Sequence, residues 1–259
     1  MLRVILFLMM FANGSLALAD DDPDHGMKRT IGIEEAWIEN AVYLSTIRDN
    51  NANQGHAWDF GVQWDAAIAG DWGSEIDAPG LLAQQPLGRA PSTLAPITAG
   101  LKYAPVSWGS DESLDAGVIG MEIEGSWWLK PQPLNFPGVG SNIAEQALIA
   151  IRHGRYTFQG AYGLSQRAGA DARSGWFASN AFGTKLSDDW IVQIEIDFNR
   201  TSVDAQGNTT SAVTFTPQIG WQINRAWQMV MGESFARVGG VNSVMTNLLF
   251  EYSYDADEK

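Results

Sequence analysis

Asp189-Trp190-Ile191-Val192-Gln193-Ile194-Glu195-Ile196-Asp197-Phe198-Asn199-Arg200 is the stretch on which the fold turns. Every second residue from Trp190 (Val192, Ile194, Ile196, Phe198) is large and apolar. Between them stand Gln193, Glu195, Asp197 and Asn199, all polar and two of them acids. Side chains of a strand alternate between its faces, so this ribbon has one apolar face and one wet, charged face. A soluble sandwich alternates too. The length, recurrence and spacing of the pattern along the rest of the chain separate the two.

The same alternation recurs on both sides. Trp58, Phe60, Val62, Trp64, Ala66 and Ile68 oppose Asp59, Gly61, Gln63, Asp65 and Ala67. Trp72, Ile76 and Ala78 oppose Glu75 and Asp77 across the tight turn at Gly70-Asp71. Ile97, Ala99, Leu101 and Tyr103 oppose Thr98, Gly100 and Lys102; Ile119, Met121, Ile123, Trp127 and Leu129 oppose Glu122, Glu124 and Ser126. Tyr156 to Ser165, Val213 to Ile223, Trp227 to Phe235 and Val244 to Tyr254 repeat it. Three further strands are less regular: Ile31 to about Ser45 is ambiguous in its faces, about Gly175 to Lys185 has mixed parity and unassigned faces, and about Ala144 to Arg152 is short-patterned. The expected total is about twelve.

The connections alternate in length. Gly70-Asp71, His153-Gly154, Ser187-Asp188 and Asn224-Arg225 are tight. Segments 48–55, 79–91, 130–142, 166–174, 201–210 and 238–242 are longer or glycine-rich, and Trp108 to Asp115 is intermediate. Short turns at one end and longer loops at the other are the layout of an outer-membrane barrel, and Trp72, Trp190, Trp221 and Trp227 flank tight turns as an interfacial girdle would. The expected fold is therefore all-β: a single antiparallel, up-and-down transmembrane β-barrel. A soluble β-sandwich or jelly roll is the alternative.

The start of the chain agrees with export. Met1-Leu2-Arg3, the apolar run from Val4 to Ala12 and the Ala17-Leu18-Ala19 site before Asp20 read as a signal peptide over residues 1–19, cleaved between Ala19 and Asp20. Residues 20–29 read as an acidic periplasmic tail, residues 30–255 as the barrel and 256–259 as a C-terminal tail. Asp22, Asp24 and His25 could hold a metal only loosely, since no further ligands cluster with them. After Asp20 no apolar run approaches the ~18 residues of a spanning helix.

Net charge is −14, one unit more negative once Arg3 leaves with the leader, which argues against nucleic acid and anionic lipid surfaces as partners. Cysteine is absent, so strand pairing and packing hold the exported chain together. Eleven tryptophans and 27 glycines suit a barrel's girdles and curvature, and equally a secreted carbohydrate-binding sandwich.

The expected lumen-lining residues are Asp59, Asp65, Glu75, Asp77, Lys102, Glu122, Glu124, Arg152, Gln193, Glu195, Asp197, Gln218 and Glu251. Acids dominate, with Lys102 and Arg152 as the inner cations. Either the lumen is wet and electronegative, favouring cations or neutral solutes, or the acids are hydrogen-bonded into a filled interior. No phosphate-binding glycine loop or Cys/His metal pattern is present, and no cofactor, metal or catalytic residue is expected. His56, at the outer rim with a nearby Ser or Asp, is the one enzymatic candidate.

Glu145-Gln-Ala-Leu-Ile, His153-Gly-Arg-Tyr-Thr-Phe-Gln-Gly-Ala-Tyr-Gly, Asp188-Asp-Trp-Ile-Val-Gln-Ile-Glu-Ile and Phe215-Thr-Pro-Gln-Ile-Gly-Trp-Gln-Ile-Asn-Arg-Ala-Trp-Gln resemble outer-membrane barrels labelled transporters of the phenol-degradation MetA-pathway type. The likeness spans about Ile31 to Tyr254. It implies a β-barrel with a channel role and carries over no catalytic residues. One departure is the polar Asp255-Ala-Asp-Glu-Lys259 after Tyr254, where barrel chains commonly end on an aromatic. Three functions stay open: a passive channel for small solutes, hydrophobic ones included; a non-conducting scaffold barrel holding a partner; and a rim hydrolase. The expected setting is the outer membrane of a Gram-negative-type bacterium, with its lipid and small solutes as partners.

Overall fold

The computed structural model describes residues 27–51, 55–78, 81–85, 92–94, 97–110, 113–127, 142–167, 174–202 and 208–254. The signal peptide, its cleavage site at Ala19, Asp20 and the rest of segment 20–26, and the C-terminal residues 255–259 lie outside them.

Twelve strands form a closed, wholly antiparallel barrel, the up-and-down architecture expected from the alternation. They are β1 (Ala41–Asn51), β2 (Gly55–Ala69), β3 (Trp72–Ala78), β6 (Ile97–Trp108), β7 (Asp115–Trp127), β8 (Asn142–His153), β9 (Tyr156–Arg167), β10 (Ser174–Lys185), β11 (Trp190–Ser202), β12 (Thr209–Gln222), β13 (Trp227–Val238) and β14 (Val241–Ser253). Each pairs with its neighbour in the chain, and β1 closes the cylinder on β14 from Ala41↔Ser253 to Asn50↔Val244. Closure leaves no sheet edge to satisfy in lipid. Two short pieces lie between β3 and β6: β4 (Leu81–Gln85), within the expected 79–91 loop, and β5 (Ser92–Leu94), just after it; β4 pairs with the outer end of β2.

The burial pattern follows the alternation. Phe60, Trp64, Ile76, Ile123, Ile194, Phe215, Met231 and Phe235 stand exposed on the outer face. Gln193 and Glu195, on the other parity of the opening stretch, are buried. An exposed apolar belt of this extent is the surface a bilayer covers. At the tight-turn end, Trp72 stacks on Tyr103 at 4.4 Å, Trp190 on Trp221 at 5.4 Å, and Trp227 lies 4.7 Å from Tyr252. These pairs draw the expected girdle. Two prolines mark interruptions of the ladder: the β6–β7 register shifts between Tyr103 and Val106, around Pro105, and β12–β13 pairing lapses between Phe215 and Gln218, around Pro217. Proline has no N–H to give a ladder.

The strands of unassigned parity resolve. On β8 Ala144, Leu148, Ala150 and Arg152 are buried, and on β10 Ser179 and Ala181 are, so these sets face inward. The first expected strand needs correction. It begins at Ala41, and residues 31–40 form no strand. Met27 to Asn40 is instead irregular chain lying within the barrel, with Met27, Arg29, Thr30, Ile33, Glu35, Ala36 and Trp37 all buried. Glu34-Glu35-Ala36-Trp37 cannot alternate as a strand; two adjacent acids would put one charge on each face.

Candidate functional site: a lumen closed by the N-terminal segment

Irregular backbone inside a barrel must find partners for its N–H and C=O groups. Here the wall supplies them. Gln159 Nε2 and Gln193 Nε2 donate to Lys28 O at 2.6 and 3.2 Å. Gln218 Oε1 accepts from Ile31 N at 2.9 Å, and Glu195 Oε2 from Gly32 N at 3.1 Å. Gln218 Nε2 also donates to Glu195 Oε2 at 3.1 Å, which fixes both side chains for the task. An inward glutamine both donates and accepts, so it suits a chain that offers both kinds of group.

Room for the segment comes from small wall residues. A Cβ on Gly73 would lie 2.9 Å from Ile38 Cγ2, one on Gly120 3.0 Å from Ala36 O, and one on Gly232 2.6 Å from Ile31 Cδ1. On the β7–β10 side, Met27, Ile33, Ala36 and Trp37 pack with Val118, Leu148, Ala150, Ala161 and Ala181 into a buried apolar cluster. Ile31 packs against a second cluster of Ala41, Tyr43, Val230 and Leu249.

The opposite side is charged. Arg29 pairs with Glu35 of its own segment, stacks over the Tyr43 ring at 3.7 Å and donates to Gln63 Oε1 at 2.9 Å. Lys102 Nζ lies 3.0 Å from Glu34 Oε1 and 3.8 Å from Glu35 Oε2. Burial alone would raise the Glu34 pKa, yet Lys102 and Arg29 hold it below the ordinary carboxylate range. Glu39 goes the other way: burial, then the nearby Glu251, push it up against the hydrogen bond it accepts from Tyr43.

Of the expected lumen residues, Asp65, Glu75, Lys102, Glu122, Arg152, Gln193, Glu195 and Gln218 are buried. Asp59, Asp77, Glu124, Asp197 and Glu251 are half-buried. Their roles diverge. Asp65, Glu75, Glu122 and Lys102 gather near Glu34 and Glu35, while Gln193, Glu195 and Gln218 hold the segment's backbone. Arg152 reaches the short-turn end, where it donates to Ser110 O at 2.6 Å. Glu251 accepts from Ser253 Oγ at 3.0 Å. Sequence reasoning missed Arg29, Glu34, Glu35 and Trp37, assigning the first to a tail and the others to a strand. The signal was present: broken parity in 31–40, facing strands rich in inward Gly, Ala and Gln.

Among the described residues, a cavity of about 290 Å³ is lined by Tyr43, Ser45, Asp59, Gln63, Asp77 and Thr98 among others. His153 Nδ1 meets Asp115 Oδ1 at 2.5 Å, both exposed at the short-turn end. The backbone of His56 pairs with Asn50 and Gln85 at the outer end.

A closed barrel with its lumen threaded by its own chain can be set beside solved structures. The chain shares its fold with outer-membrane channels and porins. An outer membrane channel from Pseudomonas putida F1 superposes with a TM-score of 0.62 at 12% identity, over 88% of this chain and all of that one. The NanC porin gives 0.56 at 8% identity, over 82% of this chain and 99% of its own. The KdgM porin, solved in complex with disordered oligogalacturonate, gives 0.50 at 9% identity, over 83% and 99%. No family model and no curated protein matches the sequence.

Proposed function

We propose that this protein is an outer-membrane channel for small solutes, exported by its leader and closed at rest by residues 27–40. The observation that carries the reading is the segment itself, seated against Gly73, Gly120 and Gly232. A scaffold barrel would fill its interior with wall side chains. Here the wall is cut back to glycine or alanine where the segment lies closest, at Gly73, Gly120, Gly232, Ala150, Ala161 and Ala181, and separate chain takes the space. The segment's hold is shared among an apolar cluster, ion pairs and hydrogen bonds to Gln and Glu side chains, the last of which water can replace at modest net cost. The resemblance to transporters of the MetA-pathway type and the fold shared with channels and porins support the same role. Asp59 and Asp77 in the cavity favour cationic or neutral solutes.

Planar-bilayer recording tests this. The full chain should show rare, small openings. A variant lacking residues 27–40, still heat-modifiable on a gel, should conduct steadily. A folded barrel that lacks the segment and still never conducts refutes the channel reading.

A further inference from the structure

Glu34 of the internal segment, Glu75 of β3, and Glu122 and Glu124 of β7 each offer a carboxylate oxygen, and the four lie within 4.8 Å of one another. Glu75 and Glu122 are each only 3% exposed. Glu75 Oε2 and Glu122 Oε1 are buried and take no hydrogen bond from any N–H or hydroxyl; the two carboxyl groups lie against each other, and Gln146 Nε2 donates to the other Glu122 oxygen at 3.0 Å. Gly100 of β6 keeps the spot clear, since a Cβ there would lie 2.6 Å from Glu122 Oε1. Buried carboxylate oxygens cannot be left bare without a large cost. Lys102 is the nearby cation, and it is already engaged by Glu34 and Glu35. Arg29 is engaged by Glu35.

We propose that Glu34, Glu75, Glu122 and Glu124 bind one calcium ion that fastens the internal segment to the barrel wall. Oxygen ligands alone point to a hard cation. Calcium takes them at about 2.3–2.6 Å in loose geometry, so oxygens sharing one ion stand no more than roughly 5 Å apart, a limit the four carboxylates meet. Magnesium needs a tighter octahedron at about 2.0–2.1 Å and keeps more of its water. Glu34 and Glu124 are only half-buried, so the site is not sealed. Asp77, on the same face of β3 two residues from Glu75, lines the cavity described above. The ion would bridge one ligand from the segment to three from the wall, so its removal should loosen the segment. This site goes beyond the channel reading and does not depend on transport.

The test uses the full chain folded in detergent and stripped with EDTA. Titration calorimetry with calcium chloride should show one site per chain, at least tenfold tighter than with magnesium chloride. Calcium should slow tryptic cleavage at Lys28 and Arg29, and EDTA should restore it. Glu75→Gln with Glu122→Gln should weaken binding by tenfold or more. Should that pair fail to fold, Glu34→Gln, outside every strand, should still weaken it. Absence of binding at millimolar calcium, or unchanged binding by folded Glu34→Gln, overturns the proposal. Conductance of the variant lacking residues 27–40 is read separately, so either idea can fail alone.

Discussion

Trp37→Ala is the sharpest probe of the seated segment. The indole is 3% exposed and packed in the cluster with Leu148, Ala150, Ala161 and Ala181. A buried aromatic of this size removes roughly 150–250 Å² from water. At about 25 cal/mol per Å² that stabilises seating by roughly 4–6 kcal/mol. Trp37 Nε1 has no partner, which offsets about 1–3 kcal/mol. The net loss on truncation is then about 3 kcal/mol, at the low end for Trp→Ala in a core. That is more than a hundredfold in the seated-to-released ratio, and cleavage tracks the released population when opening is fast. Trypsin should therefore cut at Lys28 and Arg29 about a hundred times faster in Trp37→Ala, with the barrel still heat-modifiable. Trp37→Phe keeps most of the area and removes the orphaned N–H, so it should cut less than tenfold faster. Wild-type protection in Trp37→Ala, or equal rates for Ala and Phe, would refute the account of the apolar seat.

Other outcomes follow from the same geometry. Gly73→Leu should eject the segment, because even a Cβ lies 2.9 Å from Ile38 Cγ2; a leak in bilayer recordings reads this, and an unchanged closed trace argues against it. Arg at Ile194, exposed at 45% on the outer face, should disfavour insertion by about 2–4 kcal/mol in lipid-folding titrations. Arg at Gln193, which an empty lumen would tolerate, should instead displace Lys28 and speed tryptic cleavage. Seating should be strongest near pH 5. Glu39 and Glu35, both raised by burial on seating, weaken it as pH climbs above the ordinary value near 4.5, whereas Glu34, lowered on seating, withdraws its support as pH falls below that value. Glu39→Gln should make the alkaline side of the protection profile shallower, leaving the part due to Glu35. Once opened, the channel should prefer cations at 0.1 M salt and lose that preference toward 1 M, as screening shortens from about 10 to 3 Å. Neutralising Glu122, Glu124, Glu195 and Asp197 together should shift the reversal potential toward anions, and a potential indifferent to those changes would refute the acidic path.

The sequence by itself determined the barrel. Period-two alternation is a local property of each strand, and Trp190 to Phe198 states its own two faces without reference to any neighbour. Turn lengths, also local, ordered the strands and set which end carries the short turns. Mixed strands such as Ala144 to Arg152 did not declare their faces, because inner Ala144, Leu148 and Ala150 carry no polarity to alternate against the outer side, which itself holds Glu145. The smallness of the two alanines makes sense only with something beside them. Only the tertiary structure decided what fills the lumen. Residues 27–40 have no period because their partners are Gln159, Gln193, Glu195 and Gln218, more than a hundred residues along the chain. The carboxylates of Glu34, Glu75, Glu122 and Glu124 likewise meet through closure of the cylinder and the seating of the segment within it, contacts that no spacing along a strand can encode.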